Sequence, residues 1–254
     1  MRVVVCVKQV PETTTVGFDP ERGTLRRAGA GAILNPLDVY AIEMALRWAG
    51  DDPVIALSMG PPPAVEVLRE ALARGCAEAV LCCDPVFAGS DTWATAVTLA
   101  AAVRRLAPVD LVLCGRMAID GDTAQVPPET AAILGWPQIT DVRRLECSDH
   151  CLSAERQVGD GVEEVSCPLP AVVTMLKGSC VPRLPTLPGL LRARRAPIIF
   201  WNHEQLGLDP QDCGLDGSPT RVERLFAPPA HAPCCRHQTV ASLIASLRDD
   251  GVMP

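Results

Sequence analysis

Leu111-Val112-Leu113-Cys114-Gly115-Arg116-Met117-Ala118-Ile119-Asp120-Gly121-Asp122-Thr123-Ala124-Gln125-Val126-Pro127-Pro128 reads as a buried strand, a long polar loop and the first turn of a helix. Leu111–Cys114 is apolar throughout, as parallel strands covered on both faces tend to be. At Gly115 the chain leaves the carboxyl end of a sheet, the edge at which open α/β sheets bind ligands. Gly115 and Gly121 permit close backbone approach. The amides around Asp122–Val126 lead into a helix that starts near Pro127, where unpaired N–H groups and the positive helix end form a seat for phosphate. Thr123 and Gln125 add side-chain hydrogen-bonding groups. Residue chemistry alone leaves two readings open, a phosphate seat or a long capped turn, although the loop exceeds what a simple connection requires.

Outward from this stretch the same alternation repeats. Arg2–Val7, Val54–Ser58, Ala79–Cys83 and Ala171–Leu176 are further short apolar runs. Between them lie helical patterns: one from Asn35 as N-cap with Pro36 first and Asp38 as capping partner, stopping at Gly50, and one from Pro61-Pro62 to Gly75. A third is capped by Ser90 or Asp91 and carries Trp93, Ala96, Val97, Ala100 and Ala101 on one side, and the fourth runs from Pro127 to Gly135. Strand–helix alternation of this kind predicts an α/β fold with a doubly wound, mostly parallel sheet. From Val142 the texture changes. Val142–Glu146, Leu152–Gln157 and Gly161–Val165 read as a small antiparallel extension. Beyond Lys177 prolines become frequent, and the tail reads as an extended arm whose apolar segments, Ile198–Trp201 and Leu225-Phe226, suit contact with a partner.

Several function classes are excluded. The formal charge is −7 with 4% aromatic residues, so neither a basic patch nor a stacking platform for nucleic acid is expected. No apolar run reaches the ~18 residues of a membrane span. Lys8 interrupts the N-terminal apolar run too early for a signal-peptide core, and a cytoplasmic setting is expected. Gly29-Ala30-Gly31 lacks a third glycine at the spacing of a dinucleotide fingerprint, and no P-loop, nucleophile elbow or catalytic triad occurs. The four histidines, His150, His203, His231 and His237, sit in polar or tail segments. Most of the 12 cysteines are read as small buried hydrophobes. His231, Cys234, Cys235 and His237 form a weak candidate metal set in a proline-rich tail.

A second helix start, Gly89-Ser90-Asp91-Thr92-Trp93-Ala94-Thr95, offers three hydroxyls and an acid near exposed amides, the pattern of an ordinary capping cluster. Two such starts on one sheet edge could hold a pyrophosphate from both sides.

Six stretches, in order and spacing, resemble the beta subunit of electron transfer flavoproteins over nearly the full length. They are Val7-Lys8-Gln9-Val10-Pro11, Asn35-Pro36 with Asp38 and Ala41-Ile42-Glu43, Met59-Gly60-Pro61-Pro62, Cys114 through Gln125, Leu169–Thr174, and Thr186-Leu187-Pro188. The resemblance implies a Rossmann-like sheet of the adenine-nucleotide-binding type in residues 1–195. It also implies an arm, 196–254, that packs on an alpha subunit in a heterodimer. In one branch of that family the beta subunit holds a structural AMP and passes electrons from dehydrogenases toward the quinone pool. In the electron-bifurcating branch the same place holds a second FAD that takes hydride from NADH. One electron then goes to ferredoxin or flavodoxin and the other, through the alpha-subunit FAD, to a dehydrogenase such as an acyl-CoA dehydrogenase.

Gly121, the Gly89-Ser90-Asp91-Thr92 start and Met59–Pro62 are similar to the bifurcating branch; relatives of the other branch usually carry an acidic residue at the position of Gly121. The cofactor contacts so implied are Cys6, Asn35, Met59, Asp91, Thr92, Thr95, Gly115, Arg116, Ala118, Ile119, Asp120, Gly121, Asp122, Thr123, Ala124, Gln125 and Val126. Tyr40 and its helix neighbours are expected near the nicotinamide nucleotide. No side chain is expected to act as acid or base, because the flavin carries the chemistry. Relatives have Gly-Pro where this chain has Pro127-Pro128, and Pro127 removes one potential phosphate donor. Residues 183–195 resemble the family's recognition loop, with Leu187 as the docking leucine and Arg192, Arg194 and Arg195 where relatives carry lysines; read from composition alone, this is a solvated basic helix.

Overall fold

Short apolar runs with few polar atoms become strands that can be buried on both faces. The computed structural model describes residues 1–12, 17–19, 24–26, 31–148, 151–223 and 235–253. Its strands are β1 (Val3–Cys6), β2 (Gln9–Pro11), β3 (Gly17–Asp19), β4 (Thr24–Arg26), β5 (Ala32–Leu34), β6 (Val54–Met59), β7 (Glu78–Cys82), β8 (Leu111–Gly115), β9 (Gln138–Ser148), β10 (Cys151–Val158), β11 (Gly161–Pro168), β12 (Ala171–Met175) and β13 (Ile199–Trp201). The helices are α1 (Asp38–Ala49), α2 (Val65–Arg74), α3 (Thr92–Arg105), α4 (Val126–Leu134), α5 (Leu187–Arg195), α6 (His203–Leu206) and α7 (Val240–Asp249).

Nine strands form one sheet in the order β11-β10-β9-β12-β8-β1-β6-β7-β13. From β9 to β13 all neighbours pair parallel, while β10 and β11 add the antiparallel extension. After β1 the chain steps to β6 and β7, then returns to β8 on the other side of β1. That reversal is a topological switch point, and it lies at the carboxyl ends of β1 and β8. The doubly wound sheet read from the alternation is therefore the one observed.

Successive residues of each central strand face opposite sides. Val3, Val5, Ala56 and Leu113 pack with Ile42 of α1, Leu68 of α2 and Ala193 of α5. Val4, Ile55, Leu57 and Val112 pack with Leu99 and Val103 of α3 and Ala131 of α4. Two apolar faces per strand explain why these strands show no polar alternation in sequence.

Helix punctuation follows local chemistry, with one correction. Asp91 caps α3 by accepting from the Ala94 amide at 3.0 Å, and Gly135 closes α4 in the left-handed conformation. Pro127 and Pro128 lie in the first turn of α4, where an N–H would have no intrahelical acceptor. Asn35, expected as the N-cap of α1, is not its cap: the helix begins at Asp38, and no side chain caps it. The Asn35 amide is instead drawn into longer-range bonds, given below.

Residues 1–222 form one compact unit and 223–254 a second. Residues 196–222, assigned to the arm on composition, belong to the first unit, because Ile199–Trp201 pairs with β7 and extends the sheet. The second unit contains α7. His150, His231, Cys234, Leu225 and Phe226 lie outside the described residues, so the candidate metal set is only partly described. Among the described residues no helix is long and apolar enough to cross a membrane.

Candidate functional site

The loop after β8 has a fixed half and an open half. In the fixed half, the end of β8 runs so close to the start of α1 that a Cβ on Gly115 would sit 2.3 Å from Asp38 Oδ1 and 2.7 Å from the Leu37 carbonyl carbon. Only glycine fits there, and the cause is this strand–helix approach. Asp38 is buried and accepts from the Lys8 amide at 2.8 Å and from Asn35 Nδ2 at 2.7 Å. Asn35, with no exposed surface, also donates to the Met117 carbonyl at 2.9 Å and accepts from the Ile119 amide at 3.3 Å. One buried amide thus holds the first limb of the loop at Met117 and Ile119. Burial pushes the Asp38 carboxyl up to about 7 despite the hydrogen bonds from Asn35 and Lys8. Lys8 Nζ pairs with Asp120 at 2.8 Å, and Arg116 Nε with Asp141 at 2.9 Å. The amides of Gly121 and Asp122 close a turn on the Ala118 carbonyl.

The open half is Gly121–Gln125. Nothing lies within 4 Å of the position a Gly121 Cβ would take. Asp122 and Ala124 are left-handed, with φ of 49° and 55°; such backbone costs on the order of 1 kcal/mol per residue and gathers at functional sites. Among the described residues, the amides of Thr123, Ala124, Gln125 and Val126 have no hydrogen-bond partner. Four unsatisfied donors at the start of α4 can together receive an anion.

The second helix start is differently engaged. Asp91 Oδ2 accepts from both the amide and the hydroxyl of Thr220, at 3.0 and 2.7 Å, and the Asp91 amide donates to Ser218 Oγ at 2.8 Å. Burial opposes ionisation of Asp91, but the bonds from Thr220, Ala94 and Ser218 outweigh it and lower its pKa. Ser90 donates to the Phe87 carbonyl, Thr95 to the Asp91 carbonyl, and Thr92 to Glu129 Oε1 at 3.2 Å. Thr92–Glu129 ties the start of α3 to the first turn of α4. The other Glu129 oxygen is buried without a partner, and burial followed by the charge of Asp91 raises the Glu129 carboxyl.

Cys6 and Met59 are half-buried at the carboxyl ends of β1 and β6. The buried Cys114 thiol is pushed up by the adjoining Cys6 and by burial. Cys76 and Cys82, buried in the core, are each pushed to about 12 by burial, which leaves them unreactive. Lys8, Glu129, Asp141, Ser218 and Thr220 complete this edge, and the sequence reading names none of them in a site. The partners that hold them here stand 25 to 129 residues away in the chain, with no local spacing to betray them.

Away from this edge, Leu187 opens α5 and is 71% exposed, with Leu184 at 79% and Leu191 at 51%. Thr186 caps the helix through the Gly189 amide. Arg195 is exposed, whereas Arg192 donates to the Leu72 carbonyl at 3.0 Å. A leucine cluster beside cations suits transient docking on an acidic partner.

Residues 22–206 match the family model described as electron transfer flavoprotein domain. The chain is 48% identical over 233 residues to the caffeyl-CoA reductase-Etf complex subunit CarD of Acetobacterium woodii, covering 91% of this chain and 89% of that one. It is 42% identical over 244 residues to the protein FixA of Bradyrhizobium diazoefficiens, covering 91% and 84%. It is 39% identical over 259 residues to the electron transfer flavoprotein subunit beta of Megasphaera elsdenii, covering 98% and 93%.

Proposed function

The chain belongs to the electron transfer flavoprotein family, and from that premise we propose that it is the beta subunit of an electron-bifurcating heterodimer, with FAD on the loop Gly115–Val126. The open half of that loop carries the reading: unsatisfied amides at Thr123–Val126 beside an uncrowded Gly121. FAD supplies hydride acceptance from NADH and one-electron release. The chain's own residues bind and orient. The amides at the start of α4 and the positive helix end receive the pyrophosphate, and Thr123 and Gln125 add hydrogen bonds. Asn35 and Asp38 keep the loop from shifting, and the Lys8–Asp120 pair holds its turn. Cys6 and Met59 give the seat an apolar floor. Asp91, Thr92 and Thr95 belong to the site as the wall from the α3 side, held by Ser218, Thr220 and Glu129.

The partners in this reading are an alpha subunit with its own FAD, ferredoxin or flavodoxin as the low-potential acceptor, and an acyl-CoA dehydrogenase docked at Leu187, Arg192 and Arg195. The similarity to CarD, a subunit of a caffeyl-CoA reductase-Etf complex, supports an acyl-CoA partner.

One observation favours the smaller ligand, AMP, with electrons passed from dehydrogenases toward the quinone pool. The hydroxyls of Ser90, Thr92 and Thr95 already donate within the chain, so the α3 start offers less to a second phosphate. Nucleotide extraction from the co-expressed heterodimer separates the two. Two FAD per dimer supports bifurcation, while one FAD with one AMP overturns it in favour of the conventional subunit.

A further inference from the structure

We propose that Glu43 and Arg183 are positioning residues that clamp the docking helix α5 to α1, the helix whose first turn also braces the loop Gly115–Val126. The inference rests on α5 being the docking element.

Glu43 lies five residues beyond Asp38 on α1 and is 4% exposed. Its carboxylate accepts four hydrogen bonds. The Arg183 amide and Nε reach Oε2 at 3.0 and 2.8 Å, and Arg183 Nη2 and Arg47 Nε reach Oε1 at 3.3 and 2.7 Å. Burial opposes its ionisation, but the bonds from Arg183 and Arg47 outweigh burial and hold it at about 2. The carboxylate therefore stays charged and bound throughout the physiological range.

The segment between β12 and α5 has no strand or helix of its own to order it. It is tied down by side chains of α1 and α2. Arg47 donates to the Val181 carbonyl at 3.3 Å, and Cys180 Sγ lies 3.7 Å from the Tyr40 carbonyl. Arg183 is gripped from both sides: its side chain and amide by Glu43, its carbonyl by Arg74 at 2.7 Å.

Helix α5 needs such a grip. Of its nine residues it buries only Gly189 and Ala193, while Leu187, Leu190 and Leu191 face outward. Two small residues supply little apolar burial, so hydrophobic contact alone leaves the helix loosely held. Gly189 seats the helix flush on α2, where a Cβ would fall 2.3 Å from the Ala73 carbonyl oxygen. Arg69 and Arg192 then bond across the α2–α5 contact, at 2.6 and 3.0 Å. Those contacts fix α5 against α2. Glu43–Arg183 ties the approach to α5 to α1, and so to the element that bears Asp38.

The test uses the alpha–beta heterodimer with Arg183→Ala, Arg183→Lys, Glu43→Gln and Leu187→Ala, and a short-chain acyl-CoA dehydrogenase as the docking probe. In Arg183→Ala and Glu43→Gln, amide exchange across 180–190 should rise by about tenfold or more, while exchange across 115–126 and nucleotide content stay at wild-type levels. KM for the dehydrogenase should rise several-fold with a far smaller effect on kcat, and Arg183→Lys should recover part of both changes. Unchanged exchange across 180–190 in both Arg183→Ala and Glu43→Gln overturns the clamp, as does nucleotide loss in parallel with it. Leu187→Ala should raise KM without altering exchange. If it leaves KM at the wild-type value, the docking reading fails, and the exchange data still decide the clamp.

Discussion

Gly115 and Gly121 stand six residues apart in one loop and answer to different causes. Read from sequence, both are positions where backbone approaches a ligand. The structure gives Gly115 another reason: α1 presses on it, and any Cβ would collide with Asp38 and Leu37. Gly121 faces open space, with a φ outside the left-handed region. Gly115→Ala should therefore destabilise the protein by about 2–4 kcal/mol through overpacking, while Gly121→Ala should stay within about 0.5 kcal/mol of wild type, both read from denaturant midpoints. Equal stability of the two variants would contradict this division. Asn35 carries the same lesson. Its identity and position suggest a helix cap; it does bond Asp38 three residues on, but its other partners, Met117 and Ile119, lie more than 80 residues away. Local propensity reads local bonds, and a buried amide with distant partners is invisible to it.

Most elements were legible because their signals are local. The central parallel strands appear as uninterrupted apolar runs, and α2, α3 and α4 are bounded by Pro, Asp or Gly at the positions helix ends favour. β13 was legible only as an apolar stretch, since three residues carry no period and acquire their meaning from pairing with β7. Helix α1 also holds two carboxylates with opposite responses to pH. Asp38 keeps its proton in the folded state up to about 7 against an ordinary 3.8, so its contribution is full below pH 4 and is lost as pH rises toward 7. Glu43, held at about 2 against an ordinary 4.5, contributes above pH 4.5 and is lost as pH falls toward 2. Asp38→Asn removes the first titration. The difference in Tm between Asp38→Asn and wild type should shift in favour of the variant from pH 4 to pH 7 and level off above. A constant difference across that window would show that Asp38 is not held protonated.

Across the whole molecule, a switch point between β1 and β8 places one loop, two helix starts and the ends of four strands on one edge of the sheet. Sequence chemistry located that loop but left it open whether a ligand fills it, because an anion seat and a long cap share the same residues. What the sequence withheld is the division of labour: Asn35 and Asp38 brace, Thr123–Val126 offer donors, and the α3 start is bound to Ser218, Thr220 and Glu129. The chain belongs to a family of flavoproteins, and the proposed reading puts FAD on this loop, supported by the open space at Gly121. Gly121→Glu fills the open half of the loop without touching the packed half. The most direct measurement is an anaerobic NADH titration of the heterodimer, wild type and Gly121→Glu, followed by flavin absorbance. On the bifurcating reading, NADH should bleach flavin in the wild type, and Gly121→Glu should lose one FAD per dimer together with that bleaching. A wild-type heterodimer that NADH leaves oxidised, or a Gly121→Glu dimer with unchanged flavin content and response, would contradict it.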